Sequence, residues 1–238
     1  MLLEVVDLHS GYYEDILILQ GVSLSVPDQQ IITIIGANGV GKSTLLKTIF
    51  GFLRIKNGRI LYQGEDITKV DSTDMVRKGI SYIPQRRHAF PYLTVEENLK
   101  IGCWVFRDDR DRTAREIQEA YSRYPILGKK RKEKAVFMSG GEQRVLEIGM
   151  ALLTDPRLLL VDEPTAGLAP KISNQIYTEL QRLQREEKKA ILLVDQNIRK
   201  GIEVADYIYV LELGRNKMQG TKEEFKQDSK KIVRGMLF

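Results

Sequence analysis

The 238 residues carry 37 basic and 32 acidic side chains, a net charge of +5, with 42% apolar and 29% charged residues. That is ordinary globular composition, and the positive balance suits a nucleotide, an anionic membrane surface or nucleic acid without choosing among them. Cys103 is the only cysteine, which excludes an internal disulfide and a cysteine-based metal cage and fits a reducing compartment. Met1-Leu2-Leu3-Glu4-Val5 places an acid where a secretion signal needs basic and then apolar residues. No run approaches the roughly 18 apolar residues of a membrane span, so a soluble chain is expected, reaching a membrane only through a spanning partner.

Along the chain, Leu3, Val5 and Leu8, then Val22, Leu24 and Val26, alternate with the two-residue period of half-buried strands. After a turn at Pro27-Asp28, the β-branched run Ile31 to Ile35 reads as a buried central strand, followed by glycines and a helix over Ser43 to Phe50. Asn57-Gly58 and Gln63-Gly64 bracket a short strand, Arg59 to Tyr62, and Ile80 to Ile83 is another. Helix signals then dominate residues 86–156: a Thr94 to Glu97 capping box, a charged helix over Asp109 to Tyr124, and a basic loop from Gly128 to Lys134. Cys103 and Trp104 are expected to pack there, and Phe90, Tyr92 and Leu93 form either core or a docking patch. Leu158 to Val161, Ile191 to Val194 and Tyr207 to Leu211 read as further strands, Lys171 to Arg185 as a helix, and Thr221 to Phe238 as a small helical appendage. Alternating strands and helices predict a mainly parallel sheet covered on both faces.

Two features point to phosphate chemistry. Gly36-Ala37-Asn38-Gly39-Val40-Gly41-Lys42-Ser43-Thr44 fits G-x-x-x-x-G-K-[ST] between a buried strand and a helix. Its glycines let backbone N–H groups face phosphate oxygens, the helix adds its positive end, Lys42 is placed for the β- and γ-phosphates, and the Ser43 hydroxyl for Mg²⁺. The strand ending in Asp162-Glu163 sets Asp162 beside that cradle as a second Mg²⁺ residue, with Glu163 turned the other way as general base. A second anion site follows in the same chain: Ser139 can cap a helix whose N–H groups Gly140 and Gly141 leave uncovered.

The cradle, Gln85, Ser139-Gly140-Gly141 and Asp162-Glu163 occur in the order and approximate spacing of the ABC ATPase family, which the chain resembles over essentially its whole length. The resemblance implies an α/β P-loop NTPase core with a mainly parallel sheet, an N-terminal antiparallel β subdomain and a helical subdomain inserted at 86–156, all in one domain, 1–238. It implies ATP and Mg²⁺ as ligands and head-to-tail pairing with a second ABC ATPase subunit, the same or related. Ser139, Gly140 and Gly141 of one subunit would then close over ATP in the cradle of the other. Gln85 would reach Mg²⁺ and the attacking water, and Tyr13, with Tyr12 as competitor, would stack on adenine. Two positions depart from the common pattern. Gln196 stands where most members carry a γ-phosphate-sensing histidine, and Ala169 where many carry an aspartate. These departures, with Phe90 to Leu99, look like importer subunits for branched-chain amino acids, although that group often has glutamate at the position of Gln85. The implied partners are membrane-spanning permease subunits and an extracytoplasmic solute-binding protein acting through them, not nucleic acid. The implied place is the cytoplasmic face of the cell membrane. The alternative is a soluble ABC ATPase in cofactor assembly or nucleic-acid handling.

Overall fold

A computed structural model describes residues 1–13 and 16–227. In chain order the elements are β1 (Leu3–Ser10), β2 (Leu19–Val26), β3 (Ile31–Ile35), α1 (Lys42–Ile49), β4 (Ile55–Tyr62), β5 (Glu65–Asp66), α2 (Ser72–Arg77) and β6 (Ile80–Ile83). Then come α3 (Val95–Gly102), α4 (Arg110–Arg123), α5 (Pro125–Lys129), α6 (Gly140–Leu152), β7 (Leu158–Asp162), α7 (Pro170–Arg185) and β8 (Ala190–Asp195). The last are α8 (Ile198–Val204), β9 (Tyr207–Glu212), β10 (Arg215–Thr221) and α9 (Lys222–Gln227). The rest of the expected C-terminal helical appendage lies outside the described residues.

The strands form two sheets. An antiparallel sheet has the order β2-β1-β4-β5, and a six-stranded sheet the order β10-β9-β3-β8-β7-β6. In the larger sheet every pairing is parallel except that of the edge strand β10 with β9. Every residue of β3, β7 and β8 is buried, as continuous apolar runs in a sheet covered on both faces require. Most of the sheet's buried side chains divide between two large cores, while Ile35 joins a smaller cluster with Ile202, Ile208 and Phe225. Ile32, Ile34, Leu158, Leu160, Leu192 and Val194 face α1 and the antiparallel sheet. Ile83, Leu159, Val161, Ile191 and Leu193 face the helices that include α3, α6 and α7. The helices between β6 and β7 therefore share a core with the sheet.

Four local expectations change. Asn57-Gly58 does not end a strand: β4 runs through it, because Gly58 takes φ +92° opposite the irregularity at Asp7 (φ 49°). A Cβ at Gly58 would sit 2.3 Å from the Asp7 carbonyl oxygen, so only glycine fits that close approach. Gly128 and Lys129 are helical in α5, and the loop after them reaches back to the start of α3: Glu133 and Arg131 carbonyls accept from the N–H groups of Val95 and Glu96, at 3.0 Å each. Cys103 is buried as expected, but Trp104 is exposed with the Arg107 guanidinium 4.6 Å from its ring centroid. Phe90 and Tyr92 are exposed too, which removes the core reading of that patch.

Candidate nucleotide site

The topology gathers the site. β3, β8, β7 and β6 are parallel neighbours in that order, so the chain leaves them at one edge. The loop 36–41 leaves β3, Gln196 follows β8, Asp162 and Glu163 close β7, and Gln85 follows β6. The crevice beyond the carboxyl ends of such strands is where open α/β sheets bind ligands.

At the start of α1, Gly41 adopts φ 104° and no side chain caps the helix. Helices α3 and α6, by contrast, both open with complete capping boxes. The first N–H groups of α1 are thus left to an external acceptor. Gly39 (φ +82°) has open space where a Cβ would stand. Lys42 is buried, and its Nζ donates to the Gly36 and Ala37 carbonyls at 2.9 and 3.0 Å. Burial pushes its ammonium below the usual lysine range, opposed by the carboxylates of Glu163 and Asp162.

The two acids are held differently. Asp162 is fixed through both oxygens: Ser43 Oγ donates to Oδ1 at 2.9 Å, and Tyr82 Oη to Oδ2 at 3.1 Å. Burial raises its pKa, while those two bonds pull the other way. Glu163 lies one residue past β7 at φ 42°, so strand alternation does not set its direction as the sequence suggested. Its Oε1 lies 4.0 Å from Lys42 Nζ, and its Oε2 accepts from Gln85 Nε2 at 2.5 Å and Gln196 Nε2 at 2.6 Å. Burial raises the Glu163 pKa as well, opposed first by the Gln196 bond and then by Lys42.

Asn38, Gly39, Gly41, Lys42, Ser43, Thr44, Gln85, Glu163 and Gln196 line one cavity of about 390 Å³. Tyr12 lines it and Tyr13 does not; Tyr13 is 71% exposed. The Tyr12 hydroxyl accepts from Lys47 Nζ at 3.2 Å. Ser139, Gly140 and Gly141 are not on this cavity. They open α6, where Ser139 Oγ accepts from Glu142 N at 3.4 Å and Ser139 N donates to Glu142 Oε2 at 2.8 Å. Sequence reasoning missed Tyr82, whose place three residues before Gln85 on a strand was its only signal. It also missed Arg144, buried in α6; its three-residue spacing to Glu147 could have suggested a pair on one helix face.

The family model described as ABC transporter matches residues 19–166, more than half of the chain. The chain belongs to the ABC transporter family. This ABC chain is 43% identical over 212 residues to BraG of Pseudomonas aeruginosa, a high-affinity branched-chain amino acid transport ATP-binding protein, covering 89% of the chain and 90% of the relative. It is 37% identical to a probable branched-chain amino acid transport ATP-binding protein, LivF of Archaeoglobus fulgidus, over 96% of each. Among solved structures, a nucleotide-free ATP-binding cassette from an ABC transporter superposes with a TM-score of 0.85 at 27% identity, covering 95% of this chain and 94% of that one. A cassette in its ADP conformation superposes at 0.84 with 28% identity, over 95% and 93%. The α/β fold with its mixed sheet is that of these cassettes, and the chain is an ATP-binding, ATP-hydrolysing ABC subunit. No helix among the described residues is long and apolar enough to cross a membrane.

Proposed function

We propose that this ABC ATPase drives import of branched-chain amino acids as one member of a head-to-tail ATPase pair, seated on permease subunits at the cytoplasmic face of the membrane. The carrying observation is the division of the site: Lys42, Ser43, Glu163 and Gln196 share one cavity, while Ser139 opens a different helix outside it. In this reading a second subunit's Ser139-Gly140-Gly141 completes the pocket, since the chain's own turn does not line it. The solute class rests on the near-full-length likeness to BraG and LivF, and a solute-binding protein outside the membrane would act through the permease.

The residues present fit MgATP. Lys42 exchanges its two carbonyl partners for β- and γ-phosphate oxygens, and the uncapped end of α1 adds N–H donors. Ser43 and Asp162, with oxygens 2.9 Å apart, and Gln85 supply the hard oxygen ligands that Mg²⁺ takes. When bound, Mg²⁺ neutralises charge on the β- and γ-phosphate oxygens. Tyr82 keeps Asp162 turned toward Ser43. Glu163 Oε1 accepts a proton from the attacking water, while the two glutamine amides hold Oε2 in place. Tyr12, at the mouth of the cavity, offers its ring to adenine. Exposed Phe90 and Tyr92 offer an apolar surface to a permease loop.

Affinity capture of the tagged chain from detergent-solubilised membranes tests the proposal. Permease subunits should come with the parent chain and be lost with Tyr92→Glu, while MgATP binding stays within about twofold. Capture of soluble proteins or nucleic acid alone would contradict it, as would undiminished permease capture by Tyr92→Glu.

A further inference from the structure

Arg144 lies in the second turn of α6, five residues after Ser139, and is 5% exposed. A guanidinium carries five N–H donors in a rigid planar fork, and here each has an acceptor. Nε donates to the Pro164 carbonyl at 2.7 Å. Nη1 donates to the Pro84 carbonyl at 3.0 Å and to Glu147 Oε2 at 2.9 Å. Nη2 reaches the Gln85 and Glu163 carbonyls at 3.5 and 3.4 Å. Glu147, 1% exposed, turns its other oxygen to the N–H groups of His88 at 2.8 Å and Ala89 at 3.4 Å.

One buried ion pair therefore ties α6 to the two loops that carry Gln85 and Glu163. A buried pair gains little net stability over well-packed apolar side chains, so packing alone does not call for it. What it supplies is orientation. Four fixed carbonyls, two on each loop, hold the fork in one plane, and the fork belongs to the helix that Ser139 caps. A shift of Gln85 or Glu163 that moves its main chain moves two of the four carbonyl acceptors of Arg144. The helix follows, because a lagging fork would leave buried polar groups unpaired.

We infer that the Arg144–Glu147 pair positions the signature turn, Ser139 to Gly141, according to the state of the Gln85 and Glu163 loops. The inference rests on the composite-site reading: those loops serve a subunit's own nucleotide, and its signature turn serves the nucleotide of the other subunit. Within each chain the pair thus joins the two ATP sites of the assembly. Arg144 is a positioning residue, acting through the Gln85 and Glu163 loops and not lining the cavity itself.

The test is amide hydrogen exchange on the full-length chain, with and without MgADP, at a concentration where gel filtration shows a monomer. In the parent, MgADP should slow exchange at residues 36–44 and also change it, by about threefold or more, at residues 140–143, which lie off the cavity. In Arg144→Leu/Glu147→Leu, which removes both charges together, protection at 36–44 should persist and the response at 140–143 should disappear. Arg144→Lys keeps the cation but not the planar fork, and should lose most of the response as well; it serves alone if the double variant does not fold. A response at 140–143 that survives in a folded variant overturns the inference, as does its absence from a parent whose cradle is protected. No protection at 36–44 in the parent would instead overturn the nucleotide site on which the inference depends.

Discussion

Glu163 adopts φ 42°, in the left-handed region that a residue with a side chain seldom occupies. Such a conformation costs on the order of 1–3 kcal/mol and persists only where the surroundings hold it. Here its N–H donates to the Val194 carbonyl at 2.9 Å, its carbonyl accepts from Ala166 at 3.2 Å, and two glutamine amides share its Oε2. Gln196 thus does more than stand where a histidine is common: its amide holds the Glu163 carboxylate, the base of the proposed mechanism. Gln196→Ala removes one of the two amides. A hydrogen bond to a charged group is worth about 1.5–3 kcal/mol, so steady-state hydrolysis should show kcat lower by roughly 10- to 100-fold with MgATP affinity nearly unchanged. Full activity would mean that the amide aims nothing. That Lys42 and Ser43 would meet Asp162 and Glu163 was legible, because the Gly-rich motif and the acidic strand end place them at one edge of the sheet. The contacts of Glu163 were not, since they depend on one backbone angle. The choice between Tyr12 and Tyr13 was not legible either, because no regular alternation crosses that stretch to say which ring turns inward.

Among the elements, β3, β7 and β8 were plain in the sequence, because strands buried on both faces must be apolar throughout. β10 was not, since an edge strand reading Arg215-Asn216-Lys217-Met218-Gln219 has no such constraint. Its hairpin turns at Leu213-Gly214, with φ of 47° and 75°, a two-residue turn without the usual asparagine or aspartate signal. The loop after β6 also hid its main tie, which runs through Glu147 of α6. His88 stands in that loop with Nδ1 3.7 Å from Glu147 Oε1. Burial pushes its imidazole below the usual histidine range, opposed by Glu147 and reinforced by Arg144. The unfolded chain therefore takes up the proton first as pH falls. Stability is full above the unfolded histidine value of about 6.5 and declines as pH drops through it toward the lower folded value. Thermal denaturation at pH 7.5 and 5.5 should show a larger loss of Tm for the parent than for His88→Gln. Equal losses would show that His88 does not contribute to the pH dependence.

At the scale of the whole molecule, the sheet separates two large cores, and its carboxyl edge brings together the loop 36–41, Gln85, Asp162, Glu163 and Gln196 from four neighbouring strands. The signature turn stands apart from that edge, at the head of a helix whose own core extends onto the opposite sheet face. This separation gives one chain two incomplete halves of a site, and the account holds only if another chain supplies the missing half. The sequence showed both halves and their likeness to a family that pairs them. It could not show the carbonyl contacts by which Arg144 of that helix reaches the Gln85 and Glu163 loops, because those contacts join residues about 20 and 60 positions apart. The decisive measurement is a structure of Glu163→Gln with MgATP, a variant that should bind nucleotide and barely hydrolyse it. The account predicts a two-fold assembly with Ser139 Oγ of each subunit within hydrogen-bonding distance of the γ-phosphate held by Lys42 of the other. A closed, ATP-loaded assembly with Ser139 remote from every γ-phosphate would contradict it.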